Sequence, residues 1–288
     1  CPMTLRKRLT APDILIAPGV YDGLTAALAT DAGFEALYLS GAAVAYTRLG
    51  RPDIGLSTAS EMTDTMALIA DRTDLPVIMD ADTGFGNALN ARRTMQSYER
   101  AGASALQVED QTYPKKCGHL SDKSLIPKEE MAGKIAAMAD ARRHDTLIIA
   151  RTDAIAVEGF DAAIDRAGSY IDAGADVLFI EAPRDSGELS RIADTFKGRV
   201  PLLANMVEGG ATPISSATTL EDMGFDIVIF PGGIVRALAR SAQDYYASLK
   251  ATGSNKAFSD RMHDFDGLNA AIGTPEMLAL GKRFDGKS

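Results

Sequence analysis

Ionisable residues stand at the ends of apolar runs throughout this 288-residue chain. Ser40 closes LYLS, Asp80 and Asp82 close VIMDAD, Glu109 and Asp110 close LQVED, and Arg151 and Asp153 close IIARTD. Glu181 ends LFIE, while Asn205 and Pro231 end LLAN and VIFP. Carboxylates brought together in one place are costly to bury without a cation, so this pattern points to a metal or a cationic substrate. Oxygen ligands without clustered histidines favour Mg2+ or Mn2+ over zinc. Asp110 and Asp153 can equally be read as caps of the helices that follow, a reading that fits Asp80, Asp82 and Glu109 less well.

A second chemical signal is the run Lys115-Lys116-Cys117-Gly118-His119. A thiol beside two lysines and near a histidine sits in a field that favours thiolate, and such a group can give or take a proton near neutral pH. A nucleophilic Cys–His pair and a solvated basic loop with an incidental cysteine are the other readings. Cys1 is terminal, and His144 and His263 lack metal-ligand spacing. The glycines of DTGFGN (82–87) lack the P-loop lysine and read as a turn.

The elements that must position these residues repeat. Gly33, Gly102, Gly174 and Gly224 each end a helical stretch and precede an apolar run, and further runs lie at 14–17, 76–81, 146–151 and 201–206. Glycine accepts the left-handed conformation that closes a helix, and an uninterrupted apolar run reads as a strand buried on both faces. Thr58 with Glu61 and Asp185 with Glu188 fit capping boxes, and Pro127 followed by Glu129 and Glu130 fits a first helical turn. Eight alternations of strand and helix predict an α/β fold, a (β/α)8 barrel, rather than a doubly wound sheet, because no GxGxxG follows the first strand. The expectation is one domain over 1–288, with 253–288 as a C-terminal helical extension containing a helix at 275–283. Barrel enzymes work at the C-terminal ends of their strands, so the long segments 41–57, with Asp53, and 111–126, with Cys117, are candidate lids.

Composition narrows the functional classes. The net charge of -9 offers no basic stripe for nucleic acid. No apolar run approaches membrane-spanning length, and no signal-peptide core opens the sequence. Two cysteines make no disulfide framework, so a cytoplasmic protein is expected.

DADTGFGNALNARR (80–93), QVEDQ (107–111), KKCGH (115–119), ARTDA (150–154), IEAP (180–183) and FPGG with Arg236 together resemble the isocitrate lyase/phosphoenolpyruvate mutase superfamily over residues 4 to 250. The length is similar to that of its short lyase branch, the methylisocitrate and 2,3-dimethylmalate lyases. The resemblance implies a (β/α)8 barrel, Mg2+ dependence with Mn2+ as a substitute, and homotetramers that exchange a terminal helix. It also implies that Asp80 and Asp82 bind the metal, with Asp53 and Glu109 in the acidic shell around its waters. Ser40, Gly41 and Ala42 match the loop for the 2-oxo acid half of the substrate. Lys116, Gly118, His119, Arg151, Glu181, Asn205, Pro231 and Arg236 match further substrate contacts. Cys117 matches the acid/base cysteine, while Tyr38 and Glu109 are candidates for the base that takes the hydroxyl proton.

The implied activity is cleavage of a small anionic 2-hydroxy acid to a 2-oxo acid and a carboxylic acid. Alternatives are an oxaloacetate decarboxylase or hydrolase, a phosphonate-processing member, and a non-catalytic metabolite-binding barrel. Ala42, Val207 and Gly233 stand where tricarboxylate lyases carry a second glycine or hydroxyl side chains, which favours a substrate without a third carboxylate. Arg261 is the cation that could reverse that preference.

Overall fold

The computed structural model describes residues 3–118 and 122–285, and the chain divides into two compact units, residues 1–233 and 234–288. In the first, eight parallel strands close into a barrel in sequence order: β1 Leu15–Val20, β2 Leu37–Leu39, β3 Val77–Asp80, β4 Ala105–Glu109, β5 Leu147–Thr152, β6 Val177–Ile180, β7 Leu202–Asn205 and β8 Ile227–Phe230. β8 returns to pair with β1, Leu15 opposite Ile227, so no edge strand is left exposed. The (β/α)8 expectation holds, and each of the eight apolar runs overlaps a strand, with β1 and β5 extending past the ends of the 14–17 and 146–151 runs.

Strand residues alternate between two cores. Leu15, Tyr38, Ile78, Ile149, Phe179 and Leu203 pack inside the barrel. Their neighbours Leu37, Met79, Val108, Ile148 and Leu178 pack outward against helical residues such as Met66, Met95, Ile135 and Phe196. Both faces are dry, which is why these strands read as continuous apolar runs. The short helix Leu5–Arg8 contributes Leu5 to the inner cluster. Arg6 pairs with Asp145 and Asp176, just ahead of β5 and β6, which places this helix at the N-terminal end of the barrel.

Local signals fare unevenly. Thr58 and Glu61 form the reciprocal capping box. Asp185 accepts from the Glu188 amide, but the Glu188 carboxylate turns to Arg184, so only half of that box forms. Pro127 sits at the N-cap, one residue before its helix. Residues 41–57 are not simply a loop. A helix Gly41–Val44 runs into a π-helical turn Ala45–Leu49, started by Ser40, whose hydroxyl accepts from the Ala43 amide at 3.2 Å.

The second unit holds most of the helix Gly233–Thr252, a 3-10 segment Asn255–Arg261, and helices Phe265–Ala271 and Thr274–Phe284. The last contains the expected 275–283 stretch. No helix among the described residues is long and apolar enough to cross a membrane.

Candidate active site

Strand period decides which side chains face the mouth. Tyr38 on β2, Ile149 on β5 and Phe179 on β6 point inward. Stepping by two toward the C-terminal ends therefore brings Ser40, Arg151, Asp153 and Glu181 to the same side. On β3 and β4 the same step from Ile78 and Ala105 gives Asp80, Asp82, Gln107 and Glu109. Asp110 is out of phase and faces the outer layer.

One side of the mouth is acidic. The Gly41 amide donates to Asp80 Oδ2 at 3.3 Å, and the Asp82 amide donates to Oδ1 at 3.0 Å. A Cβ on Gly41 would lie 2.8 Å from Asp80 Oδ2, so any larger residue here must displace the Asp80 carboxylate. Asp82 itself adopts φ +46, a conformation unusual outside glycine. Lys115 Nζ bridges Asp53 at 2.6 Å and Asp82 at 2.8 Å, which ties the 41–57 segment and the cysteine loop to β3. The Cys117 amide donates to the Asp53 carbonyl at 3.2 Å and strengthens the tie. Burial, opposed by Lys115 and reinforced by Asp80 and Asp53, pushes the Asp82 carboxyl up to about 6. Burial likewise raises Glu109 well above the usual carboxylate range, against the pull of Arg151 and Lys115.

The other side is cationic and tightly framed. Asp153 holds Arg151 in a two-pronged pair, Nε at 2.9 Å and Nη2 at 3.0 Å. The remaining guanidinium edge approaches Glu109 at 3.2 Å and Glu181 at 3.4 Å. Asn205 Nδ2 donates to Glu181 at 3.1 Å. A Cβ on Gly118 would lie 2.4 Å from Arg151 Nη2 and 2.6 Å from Glu181 Oε2, so the cysteine loop rests directly on this pair. Although burial raises Asp153, the charges of Arg151 and Lys123 overcome it and bring the carboxyl down to about 2. Its stabilising contribution is complete above the ordinary 3.8 and disappears as pH falls through about 2. The difference in urea midpoint between the wild type and Asp153→Asn should therefore shrink steadily from pH 5 to pH 2.

Several expected residues stand elsewhere or in other roles. Lys115 is the lysine that reaches the acidic cluster, whereas the Lys116 ammonium donates to the Asp122 carbonyl at 2.8 Å within its own loop. Tyr38 loses support as the hydroxyl base. Its phenol donates to Gln107 at 2.5 Å, and burial together with Asp80 raises it well above its ordinary value. Ala42 follows Gly41 in the short helix, and the Pro231 carbonyl packs against Gly19. Arg236 lies in the second unit, as does Arg261, which pairs with Asp244 at 3.3 Å and covers Phe258. His119 falls outside the described residues. Sequence reasoning missed Gln107 and Lys123. An amide inside an apolar strand, in phase with Glu109 and paired with Asp80 in register, was the available signal for the first.

Asp110 is neither a ligand nor a helix cap. It accepts from the Thr152 hydroxyl at 2.7 Å, the Asp153 amide at 3.0 Å and the Tyr170 hydroxyl at 2.7 Å, with Arg166 at 3.4 Å. Asp110→Ala leaves Arg166 short of a buried partner and should cost about 3–5 kcal/mol in urea denaturation.

The donor set fits a hard divalent cation. It is all oxygen, and neither Glu109 oxygen has a hydrogen bond among the described residues, Arg151 being within ion-pair distance but out of alignment. Among the described residues, no three histidine, cysteine or carboxylate side chains converge as a ready-made ligand cage. Mg2+ is commonly bound by one or two carboxylates together with several waters and its substrate, a donor chemistry that these oxygens match.

The site is thus a parallel barrel with an acidic cluster, a framed arginine and a glycine–cysteine loop at its mouth. A family model described as phosphoenolpyruvate phosphomutase matches residues 5–250, and the chain belongs to that family, within the PEP mutase/isocitrate lyase superfamily. The chain is 41% identical to 2,3-dimethylmalate lyase of Eubacterium barkeri, covering 93% of each chain. It is 47% identical to 2-methylisocitrate lyase of Bacillus subtilis, over 90% of this chain and 84% of that one. A crystal structure of 2,3-dimethylmalate lyase superposes with a TM-score of 0.92 at 35% identity, covering 99% of this chain and 97% of that one.

Proposed function

We propose that the protein is a Mg2+-dependent carbon–carbon lyase. It cleaves a 2-hydroxy di- or tricarboxylate of the 2,3-dimethylmalate or 2-methylisocitrate type into a 2-oxo acid such as pyruvate and a carboxylic acid. The observation that carries this reading is the seating of Gly118 on Arg151 and Glu181, with Arg151 in turn 3.2 Å from Glu109. It supports a single mouth at which the cysteine loop, a framed arginine and an acidic cluster would act together.

Asp80 and Asp82 would hold Mg2+, or Mn2+ in its place, with Asp53 and Glu109 around its waters. The bound ion supplies Lewis-acid stabilisation of the 2-oxo acid product. The chain's residues account for the rest. Ser40 and Gly41 receive the 2-oxo acid half, and Arg151 takes its carboxylate. Glu109, with neither carboxylate oxygen hydrogen-bonded among the described residues, would in its ionised form, which Arg151 and Lys115 favour, accept the hydroxyl proton. As that proton leaves, C2 becomes a carbonyl, the C2–C3 bond breaks and its electron pair remains on C3, delocalised into the adjacent carboxylate. Cys117 then protonates C3, and the carboxylic acid is released.

Ala42, Val207 and Gly233 offer no hydroxyl to a third carboxylate, and each missing charged hydrogen bond is worth about 1.5–3 kcal/mol. 2,3-Dimethylmalate or another 2-alkylmalate should therefore be cleaved with kcat/KM roughly tenfold or more above that of 2-methylisocitrate or isocitrate. A panel of 2-hydroxy and 2-oxo acids with Mg2+, scored for released pyruvate, glyoxylate or oxalate, tests both the reaction and the preference. A preference for 2-methylisocitrate reverses the size argument. Oxaloacetate consumption alone favours the decarboxylase or hydrolase alternative.

The exposed apolar side chains Phe265, Met277 and Phe284 in the terminal helices support a homotetramer that exchanges this segment, which sedimentation equilibrium checks. A cytoplasmic setting is proposed from composition and cysteine usage.

A further inference from the structure

Lys123 is a buried cation that the proposed chemistry does not use. Its side chain is 1% exposed, and its ammonium lies 2.8 Å from Asp153 Oδ1 and also donates to the Gly118 carbonyl. The same Asp153 carboxylate grips Arg151 through Nε and Nη2. Gly118, immediately after Cys117, has no room for a Cβ against Arg151 and Glu181. A single carboxylate therefore sets both the arginine that faces substrate and the lysine that holds the backbone next to the thiol. Burying an ammonium with one ion-pair partner among the described residues is costly, and the loss is offset only where the geometry is good and further hydrogen bonds are made, as here with the Gly118 carbonyl. Exposed sequence neighbours could close the loop at lower cost, as Thr112 and Ser124 do near its base through their hydroxyls.

We infer that Lys123 is a positioning residue that, through Asp153 and the Gly118 carbonyl, fixes the Cys117 thiol relative to the arginine-bound substrate. The inference rests on the lyase reading for what the thiol does, though not for where it is held. Lys123 contacts Asp153 rather than Arg151 or the reacting atoms, and Asp153 keeps its two-pronged grip on Arg151 when the lysine is lost. A displacement of about 1 Å at a reacting group is enough to cost on the order of 100-fold in rate.

The test compares wild type, Lys123→Met and Lys123→Arg as full-length enzyme with Mg2+ and 2,3-dimethylmalate in D2O. In Lys123→Met, kcat should fall about 100-fold. KM and the inhibition constant of pyruvate should change by less than about threefold, and Lys123→Arg should recover at least about tenfold of the lost kcat. Wild-type propionate should carry its C2 deuterium in one configuration. Propionate from Lys123→Met should be scrambled, because water then reaches C3 from both faces. Iodoacetamide labelling read at Cys117 by peptide mass spectrometry should be at least about fivefold faster in Lys123→Met. If that variant does not fold, Lys123→Gln, which is too short to reach both partners, takes its place.

A labelling rate equal to wild type overturns the inference, as does lost turnover with a single deuterium configuration. A wild type that cleaves no hydroxy acid would remove the lyase reading, and the labelling comparison would still decide where Lys123 holds the thiol.

Discussion

Asp80→Ala should abolish turnover, lowering kcat by roughly 10,000-fold, about 5.5 kcal/mol of transition-state stabilisation. Both Asp80 oxygens are engaged, Oδ2 by the Gly41 amide and Oδ1 by the Asp82 amide and the Gln107 side chain. The substitution removes a candidate metal ligand and, with it, the carboxylate that accepts from the Gly41 amide. Lys115 remains paired with Asp53 and Asp82, so the two long segments stay tied to the barrel. The folded state should survive, with a melting temperature within a few degrees of wild type. Steady-state assays of pyruvate release beside thermal melts make the check. Wild-type turnover that persists after exhaustive chelation would remove the metal from the account.

Cys117→Ser should lower kcat by about 1000-fold while pyruvate binding stays within about threefold of wild type. A serine hydroxyl is too weak an acid near neutral pH to supply the proton that C3 requires. The groups that would hold the 2-oxo acid half are untouched, since Arg151 is framed by Asp153, Glu109 and Glu181 rather than by the thiol. Product titration by calorimetry separates binding from turnover. A serine variant with near-normal turnover would move the proton donor elsewhere and favour oxaloacetate chemistry.

Much of this architecture can be read from the chain because the strands are buried on both faces and so appear as unbroken apolar runs. Polar residues at the ends of those runs had to meet at one mouth, which made Asp80, Asp82, Glu109, Arg151 and Glu181 legible. Period two, applied one step further, separates Asp110 from Glu109: it turns Asp110 outward to Tyr170 and Arg166 and makes it structural. Gln107 was obscured by the apolar residues on either side of it. The choice between Lys115 and Lys116 had no periodic signal, because irregular backbone decides which of two adjacent ammonium groups reaches Asp53 and Asp82. Lys123 acquires its meaning only through Asp153, 30 positions away in sequence. Ser40 both ends a strand segment and caps the helix after it, so the segment from Gly41 looked like loop.

The central claim is that one substrate carbon–carbon bond breaks to give a 2-oxo acid and a carboxylic acid. Proton NMR of the purified enzyme with Mg2+ and 2,3-dimethylmalate tests it most directly. Pyruvate and propionate should appear together in equal amounts as the malate resonances disappear, and both should stop appearing when the cation is chelated. Intact 2,3-dimethylmalate and 2-methylisocitrate after prolonged incubation, with oxaloacetate or a phosphonate consumed by the same preparation, would contradict it.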